Sequence, residues 1–282
     1  MNQTLLRAAA AVLAAGLAAS SASAAFVIDV NYTGDPMFRP AFDDAAALWE
    51  SKLNGYQDAV VTNTSVGSSY AAGDTIDTLF INASVAPIDG PFGVLGSAGP
   101  TSIVSNAGGG ILASDGVMDF DSDDINMLFQ SGDLADVVAH EMAHVMGFGT
   151  LFNANNLIAA GSGPFLRFTG ANAVAAWGTE FGQFGDLNLE DEGGPGTANG
   201  HWDELFGNSN AVTGITVTDP ASPNFGRDLT NEIMTGRLDG PVFVSDMTIA
   251  AFVDLGFTAA SVPEPTALAM LGLVGLGLRR RR

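Results

Sequence analysis

Residues 133–150 read Asp-Leu-Ala-Asp-Val-Val-Ala-His-Glu-Met-Ala-His-Val-Met-Gly-Phe-Gly-Thr, with His140-Glu141-Met142-Ala143-His144 at their centre. The pattern predicts a helix over Leu134–Met146. A helix turns about 100° per residue, so residues four apart lie on one face, one turn apart. Both imidazoles can therefore reach one zinc ion, while Glu141 points beside its open coordination position. Leu134, Val138, Met142 and Val145 form the opposite, buried stripe. Asp133 is expected as the N-cap, with Asp136 three residues on, to satisfy the first free amides. Gly147 lets the helix stop abruptly and the chain turn beneath the metal. The plain alternative is a pair of helix-surface histidines.

Two histidines give only two ligands, whereas a catalytic zinc site takes three from the protein and leaves a position for water. The chain has three histidines in all. His140–Gly147 resembles the metzincin proteases, whose short pattern implies a third histidine at position 150, where Thr150 stands. His201, in Gly200-His201-Trp202-Asp203, is the histidine left. Alone it reads as an exposed loop residue; against an unfilled ligand position it becomes the expected third ligand.

The chain has 282 residues, 10 of them basic and 31 acidic, for a net charge of −21. Hydrophobic residues make up 47% and charged ones 15%, which excludes general disorder. The acidity argues against a nucleic-acid partner, because no excess of Lys and Arg exists to neutralise phosphates. There is no cysteine, which excludes disulfides, thiolate metal sites and cysteine nucleophiles.

Both ends read as targeting segments. Residues 1–24 have the form of an export signal: Arg7, an apolar stretch from Ala8 to Ala19, and the small-residue cleavage site Ala22-Ser23-Ala24. At the other end Val262-Pro263-Glu264-Pro265 precedes the apolar run Thr266–Leu278 and Arg279-Arg280-Arg281-Arg282. That run is too short for a comfortable membrane span, so contact with the membrane is expected only transiently, through the terminal segments. The order Pro-Glu-Pro, short apolar helix, basic cluster resembles the PEP-CTERM sorting tail of exported bacterial proteins. The resemblance implies a Gram-negative bacterium, an exosortase-type processing enzyme as partner, and a secreted or cell-surface destination. Without both ends, five basic residues (Arg39, Lys52, Arg167, Arg227, Arg237) face 30 acidic ones, a net charge of −25.

Along the remaining chain, Phe26–Tyr32 alternates as a strand and Pro40–Leu53 reads as an amphipathic helix with Phe42, Ala45, Ala46, Trp49 and Leu53 on one stripe. Further strands are expected at Asp58–Thr62, Thr78–Ala83 and Gly116–Phe120, a loop over Gly96–Gly110, and a helix over Asp123–Phe129. Past Gly147 the sequence is rich in Gly, Asn and Asp. One clear helix returns, Asp246–Leu255, with Ser245 as N-cap and Gly256 past its end. The expectation is a mixed α/β half to Gly147 and a loop-dominated half beyond. Asp119, Asp121, Asp123 and Asp124 are spaced like partial Ca2+ ligands, but no EF-hand is completed, and capping by Ser122 and Asp123 explains most of the cluster. Glu190-Asp191-Glu192 reads as a solvated loop.

His140–Gly147, with Phe148-Gly149-Thr150 after it, resembles the leishmanolysin branch of the metzincin proteases, which inserts a long segment before the third histidine. Further landmarks follow in order: His201-Trp202, then Asn231-Glu232-Ile233-Met234-Thr235-Gly236, then Ala250–Phe257. The resemblance implies an α+β, metzincin-like zincin fold, with a mixed twisted sheet and active-site helix in residues 25–147. A loop-rich subdomain, 148–258, would carry the third histidine and the Met-turn methionine, Met234, before a linker and tail at 259–282. It also implies one catalytic Zn2+ on His140, His144 and His201, with Glu141 deprotonating zinc-bound water to hydrolyse protein or peptide substrates. A strand near Gly116–Phe120 resembles the metzincin edge that pairs with extended peptide. The family is usually rich in disulfides; this chain departs from it there. Two other functions remain compatible with the residues: a non-catalytic zinc-binding surface or biofilm-matrix protein, and a zinc hydrolase acting on cell-wall peptide.

Overall fold

A computed structural model describes residues 26–57, 60–62, 65–67, 69–161, 166–191, 197–204, 214–237 and 240–260. The two terminal targeting segments lie outside these residues, save Ala259 and Ala260 of the expected linker. The alternation at the start becomes strand β1 (Val27–Tyr32), with Ile28 and Val30 buried. Helix α1 (Arg39–Lys52) buries Phe42, Ala45, Ala46 and Trp49. Leu53, expected as its last residue, is instead extended and opens β2 (Leu53–Tyr56). A short hairpin, β3 (Val60–Val61) and β4 (Thr75–Ile76), precedes three long strands, β5 (Thr78–Ala86), β6 (Gly96–Ser105) and β7 (Ile111–Asp121). Helices α2 (Ile125–Ser131) and α3 (Leu134–Met146) follow.

Strands β1, β5, β7 and β6, in that order, make the main sheet. The first three run parallel, and β6 is antiparallel to β7. Two expectations are overturned here. The stretch Gly96–Gly110 is a strand as far as Ser105, and only Asn106–Gly110 turns, with the Asn106 side chain accepting the Gly110 amide at 2.7 Å. As an edge strand, β6 is held by its ladder to β7 rather than by an apolar face, so hydropathy does not announce it. Pro100 sits at a break in its register, where an edge tolerates a missing donor. Gly116–Phe120 lies in β7, between β5 and β6, so the free edge on that side belongs to β6.

Two expected side-chain caps are also absent. Asp133 stands at the N-cap of α3 as read, but with helical backbone angles and no side-chain cap bond; its carbonyl takes the Asp136 and Val137 amides instead. Neither Ser122 nor Asp123 caps α2, whose N-cap position is Asp124.

After α3 come β8 (Ile158–Ala160), β9 (Leu166–Phe168), α4 (Ala171–Phe181), β10 (Leu187–Asn188), α5 (Asp246–Leu255) and β11 (Phe257–Ala259). Strands β10, β9 and β8 form a small antiparallel sheet. Helix α4 was not expected; its N-terminal amides, Asn172 and Ala173, are taken by the Asp254 carboxylate of α5 at 3.0 and 2.9 Å. Ser245 caps α5 as read, accepting the Thr248 amide at 3.0 Å. Strand β11 pairs with β2, returning the chain to its beginning. Aromatic rings bind the halves together: Phe148 lies 5.0 Å from Trp202 and 6.0 Å from Phe252, which is 5.1 Å from Trp49, centroid to centroid. Sheets and helices thus mix as the α+β expectation requires. Among the described residues no helix is long and apolar enough to cross a membrane.

Candidate metal centre

Helix α3 is buried on nearly every side, which its apolar sequence permits. The Trp49 indole N–H donates to the Ala139 carbonyl at 2.9 Å, fixing α3 against α1. Gly116 of β7 has no side chain because Val145 occupies that space, so the helix lies close on the sheet. Gly147 ends it with φ +115° and donates to its last carbonyls.

This placement brings His140 and His144 together one turn apart, and the turn at residues 197–200 delivers His201 to them. The three Nε2 atoms stand 3.1 Å apart in every pair. Each Nδ1 meets a backbone carbonyl: His140 that of Ile233 at 2.6 Å, His144 that of Phe148 at 2.9 Å, His201 that of Thr197 at 2.8 Å. A carbonyl only accepts, so each Nδ1 carries the proton and each Nε2 offers its lone pair inward. Three lone pairs facing one another repel unless a cation lies among them. Nitrogens on a tetrahedron about 2.0–2.1 Å from zinc would be about 3.3 Å apart, so the spacing fits. Among the described residues, no other group of three His, Cys, Asp or Glu side chains could hold one ion.

The electrostatics agree with neutral rings. Burial, then the charges of its neighbours, drives His201 down to about 3 and His144 well below its ordinary value; burial also lowers His140. Glu141 is 7% exposed, and burial pushes its carboxyl up to about 8. It lies against β6: a Cβ at Gly96 would stand 2.9 Å from its Cγ and Oε1.

Met234 is fully buried. Its carbonyl accepts the Trp202 amide at 2.9 Å, and the preceding carbonyl, Ile233, holds His140. The turn around Met234 therefore touches the segments of two of the three histidines. Thr150 is not among the clustered side chains; its hydroxyl donates to the His144 carbonyl at 2.7 Å.

Sequence reasoning missed several supports. The carbonyls of Thr197, Phe148 and Ile233 carry no side-chain signal at all. Glu232 does: an acid directly before the apolar pair Ile233-Met234 is a candidate buried acceptor, and it takes the Met234 amide at 2.6 Å. Glu190, read as part of a solvated loop, is buried beside Glu204, which faces Arg237 at 3.3 Å. Its amide donates to the His201 carbonyl at 3.0 Å, tying it to the histidine turn; Glu192 lies outside the described residues. Asp119, Asp121, Asp123 and Asp124 form no Ca2+ cage. Asp121 accepts the amides of Ile88, Asp89, Gly90 and Asp123, which hold its carboxyl below the ordinary value, Asp123's foremost. Asp124 accepts the Phe92 amide, and Asp119 the Ser84 hydroxyl.

Comparison with known proteins gives two family matches. The leishmanolysin peptidase family model covers residues 110–269. The PEP-CTERM protein-sorting motif covers residues 261–282, a mark of proteins exported and sorted to the cell envelope or beyond. No curated protein matches the chain.

Proposed function

The chain belongs to the leishmanolysin family of peptidases, and on that footing we propose that it is an exported zinc-dependent endopeptidase acting on protein or peptide substrates. His140, His144 and His201 hold one zinc ion through Nε2, Glu141 is the general base, Met234 is the Met-turn methionine, and Gly147 ends the active-site helix. In this reading residues 25–147 and 148–258 are the two halves of a metzincin-like fold. Residues 1–24 are the signal peptide and 259–282 the linker and tail that an exosortase removes.

When bound, zinc supplies Lewis acidity and lowers the pKa of water at its open position. Glu141 accepts a proton from the attacking water and returns it to the departing amine as the C–N bond breaks. Burial alone raises the Glu141 carboxyl; a zinc ion beside it would draw it down and favour the carboxylate that a base must be. The absent side chain at Gly96 leaves Glu141 its room. The free edge of β6 offers unpaired backbone groups on which an extended peptide can add as a further strand.

The observation that carries this reading is the triangle of Nε2 atoms, 3.1 Å on a side, each ring fixed by its own Nδ1 donation. The test is cleavage of an unfolded protein by the purified protein, with and without a chelator, beside Glu141→Gln. Chelator-sensitive cleavage, lost in a variant that keeps its zinc, supports the assignment. A folded, zinc-loaded protein that cleaves nothing favours the competing non-catalytic surface or matrix role.

A further inference from the structure

The segment joining β5 to β6 presents one aromatic ring in the open from a hydrogen-bonded backbone. Residues 87–95 read Pro-Ile-Asp-Gly-Pro-Phe-Gly-Val-Leu. One oxygen of Asp121 receives the amides of Ile88, Asp89 and Gly90 at 3.2, 2.9 and 3.2 Å. Asp124 receives the Phe92 amide at 2.9 Å, and Asp89 that of Val94 at 3.2 Å. The Leu95 carbonyl accepts the Asp121 amide at 3.0 Å, so the β6–β7 ladder begins where this segment ends.

Within that frame Phe92 takes φ +62°, a left-handed conformation that a bulky residue keeps only when its surroundings impose it. Its side chain is 73% exposed, lies outside the hydrophobic core, and is flanked by exposed Ile88 and Val94. Glycine or asparagine would serve such a turn without strain, so the fold itself has no use for the ring. Four residues on lies Gly96, pressed against Glu141. Four extended residues span at most about 13 Å, which keeps Phe92 within a few substrate residues of Glu141.

We infer that Phe92 is a specificity-determining contact, on which an apolar side chain of an extended peptide lying along the edge of β6 rests, within about four residues of the scissile bond. The inference rests on the peptidase reading. Continuity with the β6 edge selects this occupant. A backbone already fixed by amide–carboxylate bonds presents the ring without a further backbone ordering cost.

The test is binding of a peptide array by the zinc-loaded Glu141→Gln protein and by the same protein carrying Phe92→Asn. Asparagine tolerates a left-handed backbone, so the melting temperature should hold. The parent should favour peptides with Phe, Leu or Met at one position. Phe92→Asn should lose about tenfold in affinity for those peptides alone, and Phe92→Trp should retain it. In the active protein Phe92→Asn should raise KM about tenfold for the same peptides, with kcat little changed. A folded Phe92→Asn protein with unchanged preference overturns the inference. So does unchanged preference with lost adsorption to phospholipid vesicles, which would assign the ring to a membrane. A parent that binds no peptide overturns the peptidase reading as well, which separates the two failures.

Discussion

Gly149 and Gly200 pass so closely that a Cβ on Gly149 would stand 2.5 Å from the Gly200 carbonyl oxygen and 2.6 Å from its Cα. The turn after α3 is thereby pressed against the residue that precedes His201. Gly149 also has φ +71°, which a larger residue adopts only under strain. Gly149→Ala should push the 197–204 turn outward and pull His201 Nε2 off the other two. Zinc affinity should fall about 10–100-fold, the range seen when support around a ligand is lost. Competition with a chromophoric chelator measures this, and unchanged affinity would show that the 197–204 turn adjusts without moving His201.

Glu232 is a second support, acting through the backbone. One oxygen accepts the Met234 amide at 2.6 Å; the other accepts the Ser245 amide and hydroxyl and the Thr248 hydroxyl at 3.1, 2.8 and 2.6 Å. Thr248 in turn accepts the Trp202 indole N–H at 2.9 Å. The turn that holds His140 is thus tied to α5 and to the neighbour of His201. Glu232→Ala should cost about 3–5 kcal/mol, because four buried donors lose their acceptor. Glu232→Gln should cost less, since it keeps the volume and one acceptor. Urea unfolding of both variants checks the order; equal costs would mean that volume, not hydrogen bonding, is what Glu232 supplies.

Much of this arrangement was legible in the sequence, for physical reasons that differ residue by residue. The α3 helix announces itself because its two patterns, histidines four apart and an apolar stripe, share one period. Ser245 announces α5 because an N-cap is a local bond. His201 could be reached only by elimination, since its neighbours in space, Thr197 and Gly149, act through backbone. Strand β6 stayed hidden because an edge of Gly and Ser is held by pairing with β7, which leaves no hydropathy signal. Helix α4 stayed hidden because Gly170 stands at its N-cap and the acceptor for its first amides lies 82 residues away, at Asp254.

That distant cap makes a prediction of its own. Asp254→Ala should strip Asn172 and Ala173 of their acceptor and cost about 1–2 kcal/mol, the usual worth of a helix cap. Because Asp254 belongs to α5, the loss should loosen α4 against α5 while leaving the histidine triangle intact. Hydrogen exchange should therefore quicken first in residues 171–181, with zinc affinity unchanged. Uniform quickening across the chain would instead make Asp254 a global support.

Glu180 gives the pH dependence. Its Oε2 accepts the Met247 amide at 2.9 Å, yet burial outweighs that bond and, with the charges of Asp246 and Glu232 adding, pushes the carboxyl up to about 7 from an ordinary 4.5. The folded state therefore favours the protonated acid more than the unfolded chain does. The contribution is fully present below 4.5, is lost as pH rises toward 7, and is gone above it. Glu180→Gln is uncharged at every pH and can still accept from Met247. It should match the natural protein near pH 4 and exceed it at pH 8 by about 1–3 kcal/mol, a rise of several degrees in melting temperature. The same acids elsewhere titrate in both proteins, so the difference between them isolates Glu180. Melting curves at pH 4 and pH 8 decide it: a gain of equal size at both would trace the effect to packing, and a gain confined to pH 8 to the buried charge.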